Sequence, residues 1–442
     1  MLENYSAAAR KVLGGAGVGD KLTLEKAGTI YEGVLMPRIN AGDRDCIVLK
    51  LKNGYNLGIK AEKGVKVLKS EKAKPKEKAK EIILPFDAKK PTIAIIGTGG
   101  TIASRVDYQT GGVVPVNSAG DLVNSIPELK GMANLRCRVL FEMFSEDMNF
   151  SHYSDIAKAV ADEIRKGCDG VIITHGTDTM HYTAAALSFA LRELPVPVVL
   201  VGSQRSADRG SSDAAMNMIC AANFIIKSDW SGVGICMHGT LSDDYCLIHE
   251  GTRVRKMHSS RRDAFQSVNA TPIAKVLLDG SVEMLRKEYA KKDKARKPKV
   301  IEKFERKVGL LKIYPGIDPA IFRAFSKFRG VVLEGTGLGH ASITETDKYT
   351  AQNRKIFEEL KKLAKKSVVV MSSQCISGRV NMSVYSTGRR LQEIGVVSGE
   401  DMTPEVALVK LAWLLANEPK KARELVGQNL AGEISNRGEV TF

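Results

Sequence analysis

A chain of 442 residues with a hydrophobic fraction of 43% is long enough for two or three domains and apolar enough to give each a core. Its apolar runs, such as 196–201, are far shorter than a bilayer span, and the opening Met-Leu-Glu-Asn-Tyr lacks the basic-then-apolar pattern of a secretory leader. Seven scattered cysteines with no Cys-x-x-Cys pair exclude a disulfide framework and a structural zinc, and fit a reducing cytoplasm.

The formal charge of +16 sits mostly in two segments: eight lysines against Glu71 and Glu77 in 63–80, and eleven basic residues against Glu288, Asp293, Glu302 and Glu305 in 286–307. Such runs read either as solvated, solubilising stretches or as phosphate-contacting surfaces that steer a polyanion such as tRNA. The 63–80 run contains no aromatic residue, which argues against base stacking on single strands.

In chain order, a short helix is expected from Glu3 to Leu13, stopped by Gly14-Gly15. Short strands follow at 21–24, 30–35, 46–51 and 55–59, and Asn53-Gly54 between the last two is a type I′ hairpin sequence. Residues 1–62 therefore read as a small SH3-like β-barrel, and 63–90 as a charged linker. From Pro91 the pattern changes to strand–turn–helix alternation. Strands are expected at 92–96, 139–141, 171–174, 198–201 and 233–237. Between them lie helices, one marked by Ile156, Val160 and Ile164 on a single face, others at 183–191 and 213–225. Alternation breaks near 286–307 and resumes with strands at 308–313, 330–334 and 368–371 and helices at 351–365 and 404–415. The fold class is thus α/β. A small N-terminal barrel precedes a two-domain body with mostly parallel sheets, bounded as 91–285, a charged connector 286–307, and 308–442. Ligands of such sheets bind at the carboxyl ends of the strands.

Two glycine turns lie at such ends: Thr98-Gly99-Gly100-Thr101-Ile102-Ala103-Ser104 and His175-Gly176-Thr177-Asp178-Thr179-Met180. Glycines let a backbone approach a substrate closely, so that N–H groups can point at it. The first turn lacks the lysine of a P-loop and the third glycine of a dinucleotide fingerprint. A threonine hydroxyl attacks a carbonyl only once a base takes its proton. The Asp178 carboxylate can hold a lysine for that purpose, and Arg253-Val254-Arg255-Lys256-Met257-His258-Ser259 offers candidates. The residues alone do not choose among them. His175 is read as a hydrogen-bonder that stabilises its turn.

Together the two turns resemble the paired signature of the L-asparaginase/glutaminase family, and Ser145-Glu146-Asp147-Met148, Gly202-Ser203-Gln204-Arg205 and 253–257 match as well. The resemblance implies that Thr101 is the nucleophile, that Tyr108 in the mobile segment 107–111 assists it, and that Thr177, Asp178 and Lys256 position and deprotonate. It implies that Ser145 and Glu146 hold the substrate's carboxylate and ammonium, with Gly100 and Gly176 at the substrate. Backbone N–H groups around Gly100 and Thr177 would line an oxyanion hole. It also implies an isologous homodimer. With its N-terminal barrel, the chain resembles end to end the GatD family of archaeal glutamyl-tRNA(Gln) amidotransferases. Tyr31-Glu32-Gly33, 49–55, 257–262, 373–375 and 378–382 carry that match.

The implied activity is hydrolysis of a Gln or Asn side-chain amide. The ammonia would go to a partner, the amidotransferase's GatE component, for ATP-dependent conversion of Glu-tRNA(Gln) to Gln-tRNA(Gln). ATP and Mg2+ are expected at that partner, which also carries most tRNA contacts, and no cofactor, metal or membrane is expected for this chain. A free-standing cytoplasmic L-asparaginase is the alternative.

Overall fold

The fold, a computed structural model, describes residues 2–38, 42–52, 55–72, 86–100, 104–106, 113–115, 126–206 and 211–437. Near the N-terminus, helix α1 (Ala7–Leu13) precedes strands β1 (Lys21–Lys26), β2 (Thr29–Leu35), β3 (Cys46–Lys50), β4 (Asn56–Lys60) and β5 (Lys66–Glu71). They form one antiparallel sheet in the order β4-β3-β2-β1-β5. Alternation places Leu22, Leu24, Leu35, Ile47 and Leu49 inward around Tyr5, all fully buried. The Tyr5 hydroxyl donates to Met36 O at 2.6 Å and accepts from Val48 N at 3.2 Å. The helix starts at Ala7 rather than Glu3 because Ser6 caps it, its hydroxyl accepting from Ala9 N. The Asn53-Gly54 turn lies outside the described residues.

The linker expectation for 63–90 needs correction at its start. Residues 66–71 are β5, paired antiparallel with β1. Val65 is buried and Val67 packs on the same core, while the lysines of β5 face solvent. An edge strand rich in lysine resists further pairing, so its composition reads like a linker.

The next region holds a sheet with eight strands among the described residues. In chain order its strands are β6 (Thr92–Gly99), β9 (Asn134–Met143), β10 (Gly170–Thr174), β12 (Val198–Val201), β13 (Val233–His238), β14 (Tyr245–Glu250), β17 (Ala274–Leu277) and β18 (Val282–Met284). Short pairs stand apart from it: β7 (Ser104–Val106) with β8 (Val113–Pro115), β11 (Leu191–Arg192) with β19 (Lys299–Val300), and β15 (Val254–Lys256) with β16 (Phe265–Ser267).

The strand order is β18-β17-β14-β13-β12-β10-β6-β9, and β9-β6-β10-β12-β13 are mutually parallel. The chain runs outward from β6 to β9, then back across β10, β12 and β13. The switch point, where connections leave in opposite directions, lies between β6 and β10, and a crevice opens there at the strand ends. Helices α2 (Phe150–Arg165), α3 (Met180–Ala190) and α4 (Ala214–Lys227) cover the faces. Both faces of the central strands are covered, so β10 and β12 are buried throughout. The antiparallel additions β14, β17 and β18 were not expected; they end the alternation well before the charged stretch.

That charged stretch is not a freely solvated connector. Arg286 pairs with Glu250 (2.7 Å), Lys291 with Asp229 (3.1 Å), Lys294 with Asp169 (2.8 Å) and Lys299 with Glu193 (2.6 Å). Val300 and Phe304 pack on the core between these cations. The segment is a strap along the region of the eight-stranded sheet, and several of its charges are matched by carboxylates of the same chain.

Beyond it, a parallel sheet β20-β21-β22-β23 (Val308–Lys312, Gly330–Gly335, Val368–Ser373, Val397–Ser398) carries helices α5 (Gln352–Lys366) and α6 (Pro404–Asn417). Helix α6 packs on α3, with Phe189 and Trp413 ring centroids 6.0 Å apart. Two enclosed ion pairs lie in this part: Lys410–Glu433 at 2.6 Å and Arg253–Asp401 at 3.0 Å.

Candidate active site

The two threonine turns meet at the switch point. The Thr98 hydroxyl donates to Thr174 O at 2.8 Å, tying the end of β6 to the end of β10. Gly100 has φ +82°, and a Cβ there would sit 2.2 Å from Gly176 N. The two turns are therefore in backbone contact, which a side chain at position 100 would prevent. A Cβ on Gly176 would meet Ser145 Cβ and Oγ at 2.8 Å. Ser145, buried after the end of β9, is held by the Thr179 hydroxyl, which donates to its carbonyl at 2.6 Å. Glu146 follows on the exposed side of that turn.

Thr177 and Asp178 lie between the end of β10 and the start of α3, so the positive end of the helix faces the crevice. Lys256, at the end of β15, reaches both: its Nζ donates to Thr177 Oγ1 at 2.8 Å and to Asp178 Oδ1 at 2.7 Å. The Lys256 side chain is 8% exposed and that of Asp178 64%, so a screened ammonium meets a carboxylate open to solvent. Thr101 and Tyr108 lie outside the described residues. Thr101 directly follows Gly100 in sequence.

His175 is fully buried. Its Nδ1 lies 2.7 Å from Gly176 O and its Nε2 2.8 Å from Thr183 Oγ1. Burial pushes its pKa down to about 4. The neutral ring donates from Nδ1 and accepts from Thr183, so it braces the turn as expected. His181, in the first turn of α3, is pushed down to about 3 by burial and then by the Arg255 and Lys256 charges.

Sequence reasoning gave no role to several neighbours. Arg255 pairs at 2.8 Å with Glu405, which arrives from α6. Asp178, His181, Tyr182, Lys256, His258 and Glu405 line an open depression of about 380 Å³. Glu405 lies 150 residues from Arg255 in sequence, and no local pattern announces that contact. The 202–204 loop was visible as a motif without a function. It packs directly on the site: a Cβ on Gly202 would lie 2.8 Å from Thr177 Cγ2. No group of three or more His, Cys, Asp or Glu side chains among the described residues is arranged to hold a metal ion.

The arrangement combines a hydroxyl, a lysine that can exchange a proton with it, a carboxylate on the lysine and close-packed backbone turns. That set suits attack on an amide carbonyl. Comparison with known proteins agrees. The asparaginase N-terminal family matches residues 92–290, the glutaminase/asparaginase C-terminal domain 307–425, and the GatD N-terminal domain 16–68. Among solved structures, the thermostable L-asparaginase from Thermococcus kodakarensis is 32% identical. It has a TM-score of 0.68, and the match covers 78% of this chain and 100% of that one. L-asparaginase I from Vibrio cholerae is 29% identical with a TM-score of 0.66, over 78% of this chain and 99% of that one. The glutamyl-tRNA(Gln) amidotransferase GatD protein of Pyrococcus furiosus is 48% identical over 92% of this chain and 91% of its own length. That of Methanothermobacter thermautotrophicus is 43% identical over 99% of both. The chain belongs to the GatD family of glutamyl-tRNA(Gln) amidotransferase components, in which a small β domain precedes an asparaginase-like body.

Proposed function

We propose that the chain hydrolyses the side-chain amide of glutamine or asparagine and delivers the ammonia to a partner, GatE, which uses ATP and Mg2+ to convert Glu-tRNA(Gln) to Gln-tRNA(Gln). The observation that carries the hydrolytic half is the Lys256–Thr177–Asp178 contact set beside the paired turns. The synthetic half rests on relatives that match along nearly the whole chain and are named as amidotransferase subunits.

In this reading the Thr101 hydroxyl attacks the amide carbonyl, and backbone N–H groups of the two turns receive the developing oxyanion. Each such donor is worth about 3–4 kcal/mol where it has been removed from an enzyme. The amide nitrogen leaves as ammonia with the proton taken from Thr101, and water then cleaves the acyl-enzyme. Lys256, through Thr177, handles the proton, and Asp178 holds the lysine. Ser145 and Glu146 bind the carboxylate and ammonium of the amino-acid substrate, Tyr108 assists the nucleophile, and a homodimer completes the site. The setting is the cytoplasm, and tRNA is met mainly through the partner.

The test is ammonia release from glutamine by the purified chain, with and without GatE and Glu-tRNA(Gln). Stimulation by both supports the amidotransferase role. Strong asparagine hydrolysis that neither addition changes identifies a free-standing asparaginase instead.

A further inference from the structure

A hydrogen-bond chain runs behind the 202–204 loop. Asp213, fully buried at the start of α4, accepts from Gln204 N through both carboxylate oxygens at 3.0 Å and from Arg205 N at 3.0 Å. Asn217, one helical turn on, donates from Nδ2 to Asp213 Oδ2 at 3.2 Å and to Gly202 O at 3.0 Å. Those two acceptors fix the orientation of its amide, so Asn217 Oδ1 points away from the loop. There it meets His238 Nδ1 at 2.6 Å. The other ring nitrogen, Nε2, lies 3.0 Å from Asp243 Oδ1, and Arg262 Nη1 lies 2.6 Å from the same oxygen. Arg262 also donates to Leu241 O, and its loop begins directly after Lys256.

The chain thus has two functional ends. One is the loop whose Gly202 packs on the Thr177 methyl group. The other is the loop that leaves Lys256. Thr177 and Lys256 share a hydrogen bond across the site, so the network closes a ring around it. His238, at the end of β13 and fully buried, is the central link.

We propose that His238 is a positioning residue for amide hydrolysis, holding the Gly202–Gln204 loop and the loop after Lys256 in register so that Lys256 and Thr177 keep their contact. This rests on the amidase reading above. Both ring nitrogens face side-chain oxygens, so the ring bridges Asn217 and Asp243. The titratable and charged groups around the ring are Asp243 and Arg262 from the loops and Asp213, through Asn217, from α4. The Cys236 and Cys246 thiols of β13 and β14 donate to Asn217 O and Oδ1 at 3.4 and 3.3 Å. Burial raises both thiols and keeps them neutral.

The experiment compares wild type, His238→Leu and Asp243→Asn as full-length chains in the amidotransferase complex, reading ammonia release against substrate concentration. His238→Leu is expected to lower kcat at least tenfold with KM within twofold of wild type. Asp243 is 61% exposed, so Asp243→Asn leaves folding intact. Arg262 and the ring meet the same carboxylate oxygen, so this substitution weakens the outer link without touching the buried ring. Asp243→Asn is therefore expected to lower kcat less than His238→Leu does, again with KM within twofold of wild type. Either a His238→Leu enzyme with wild-type kcat or an Asp243→Asn enzyme with wild-type kcat overturns the proposal. A wild-type complex that releases no ammonia strikes the amidase reading, not the positioning role.

Discussion

Two cations three residues apart, Arg253 and Lys256, make opposite predictions. Arg253 is 3% exposed, and its guanidinium spans Asp401 Oδ2 (3.0 Å), Gly432 O (2.7 Å) and Ser435 Oγ (2.8 Å). Arg253→Met leaves the Asp401 carboxylate, also 3% exposed, to Ser435 N (3.1 Å) and the more distant Arg379 (3.8 Å), and breaking such an enclosed pair costs about 3–5 kcal/mol. Lys256→Met also removes an ion pair, but the Asp178 left behind is 64% exposed and stays hydrated. The expected stability change is under about 1 kcal/mol. Its catalytic effect is the larger one. Removing a positioned acid–base group costs about 10²–10⁴-fold in rate. The assay pairs urea unfolding, followed by circular dichroism, with ammonia release from glutamine and asparagine. The expected pattern is a stable, inactive Lys256→Met and a destabilised Arg253→Met that keeps substantial turnover while folded. A Lys256→Met chain with normal turnover would refute the assignment of the proton-handling group. Equal destabilisation by both substitutions would show that Lys256 is structural.

Further consequences can be measured separately. Gly100→Ala places a Cβ 2.2 Å from Gly176 N at φ +82°; it should cost about 1–3 kcal/mol and lower kcat at least tenfold, and a near-normal enzyme would contradict the contact between the turns. Burial holds His175 at about pKa 4 and His181 and His249 at about 3. Unfolding frees each to bind a proton near pH 6.5, so stability is full above that pH and falls below it. The slope is up to about 1.4 kcal/mol per pH unit for each histidine. His249→Gln should flatten the fall in urea midpoint between pH 7 and pH 5, and an unchanged slope would remove His249 from that effect. Thr101→Ala should abolish amide hydrolysis while leaving the unfolding midpoint unchanged; residual wild-type turnover would reassign the nucleophile.

The catalytic half of the sheet was legible because β6, β10 and β12 are buried on both faces and so appear as unbroken apolar runs ending in glycine turns. The shared strand edge of those turns follows from the alternation alone. Strand β5 was hidden because an edge strand protected by lysines looks like a linker. Strands β14, β17 and β18 carry His249, Lys275 and Glu283 among their apolar residues, which blurs any continuous run. The motif residues Gly100, Gly176, Thr177, Asp178 and Lys256 announced the site. The contacts that brace it did not. Glu405 reaches Arg255 from α6, and His238 reaches the 202–204 loop only through Asn217. Such long-range hydrogen bonds leave no periodic trace in sequence.

The most direct test of the central claim, that ammonia made beside Thr177 and Lys256 is the product used by the partner, is transfer of an isotopic label. The complex receives glutamine labelled with 15N in the side-chain amide, together with Glu-tRNA(Gln), ATP and excess unlabelled ammonium. The expected result is 15N in the glutamine esterified to tRNA, with the label lost in Lys256→Met. Equal dilution of the label by bulk ammonium, or labelled product from Lys256→Met, would contradict it.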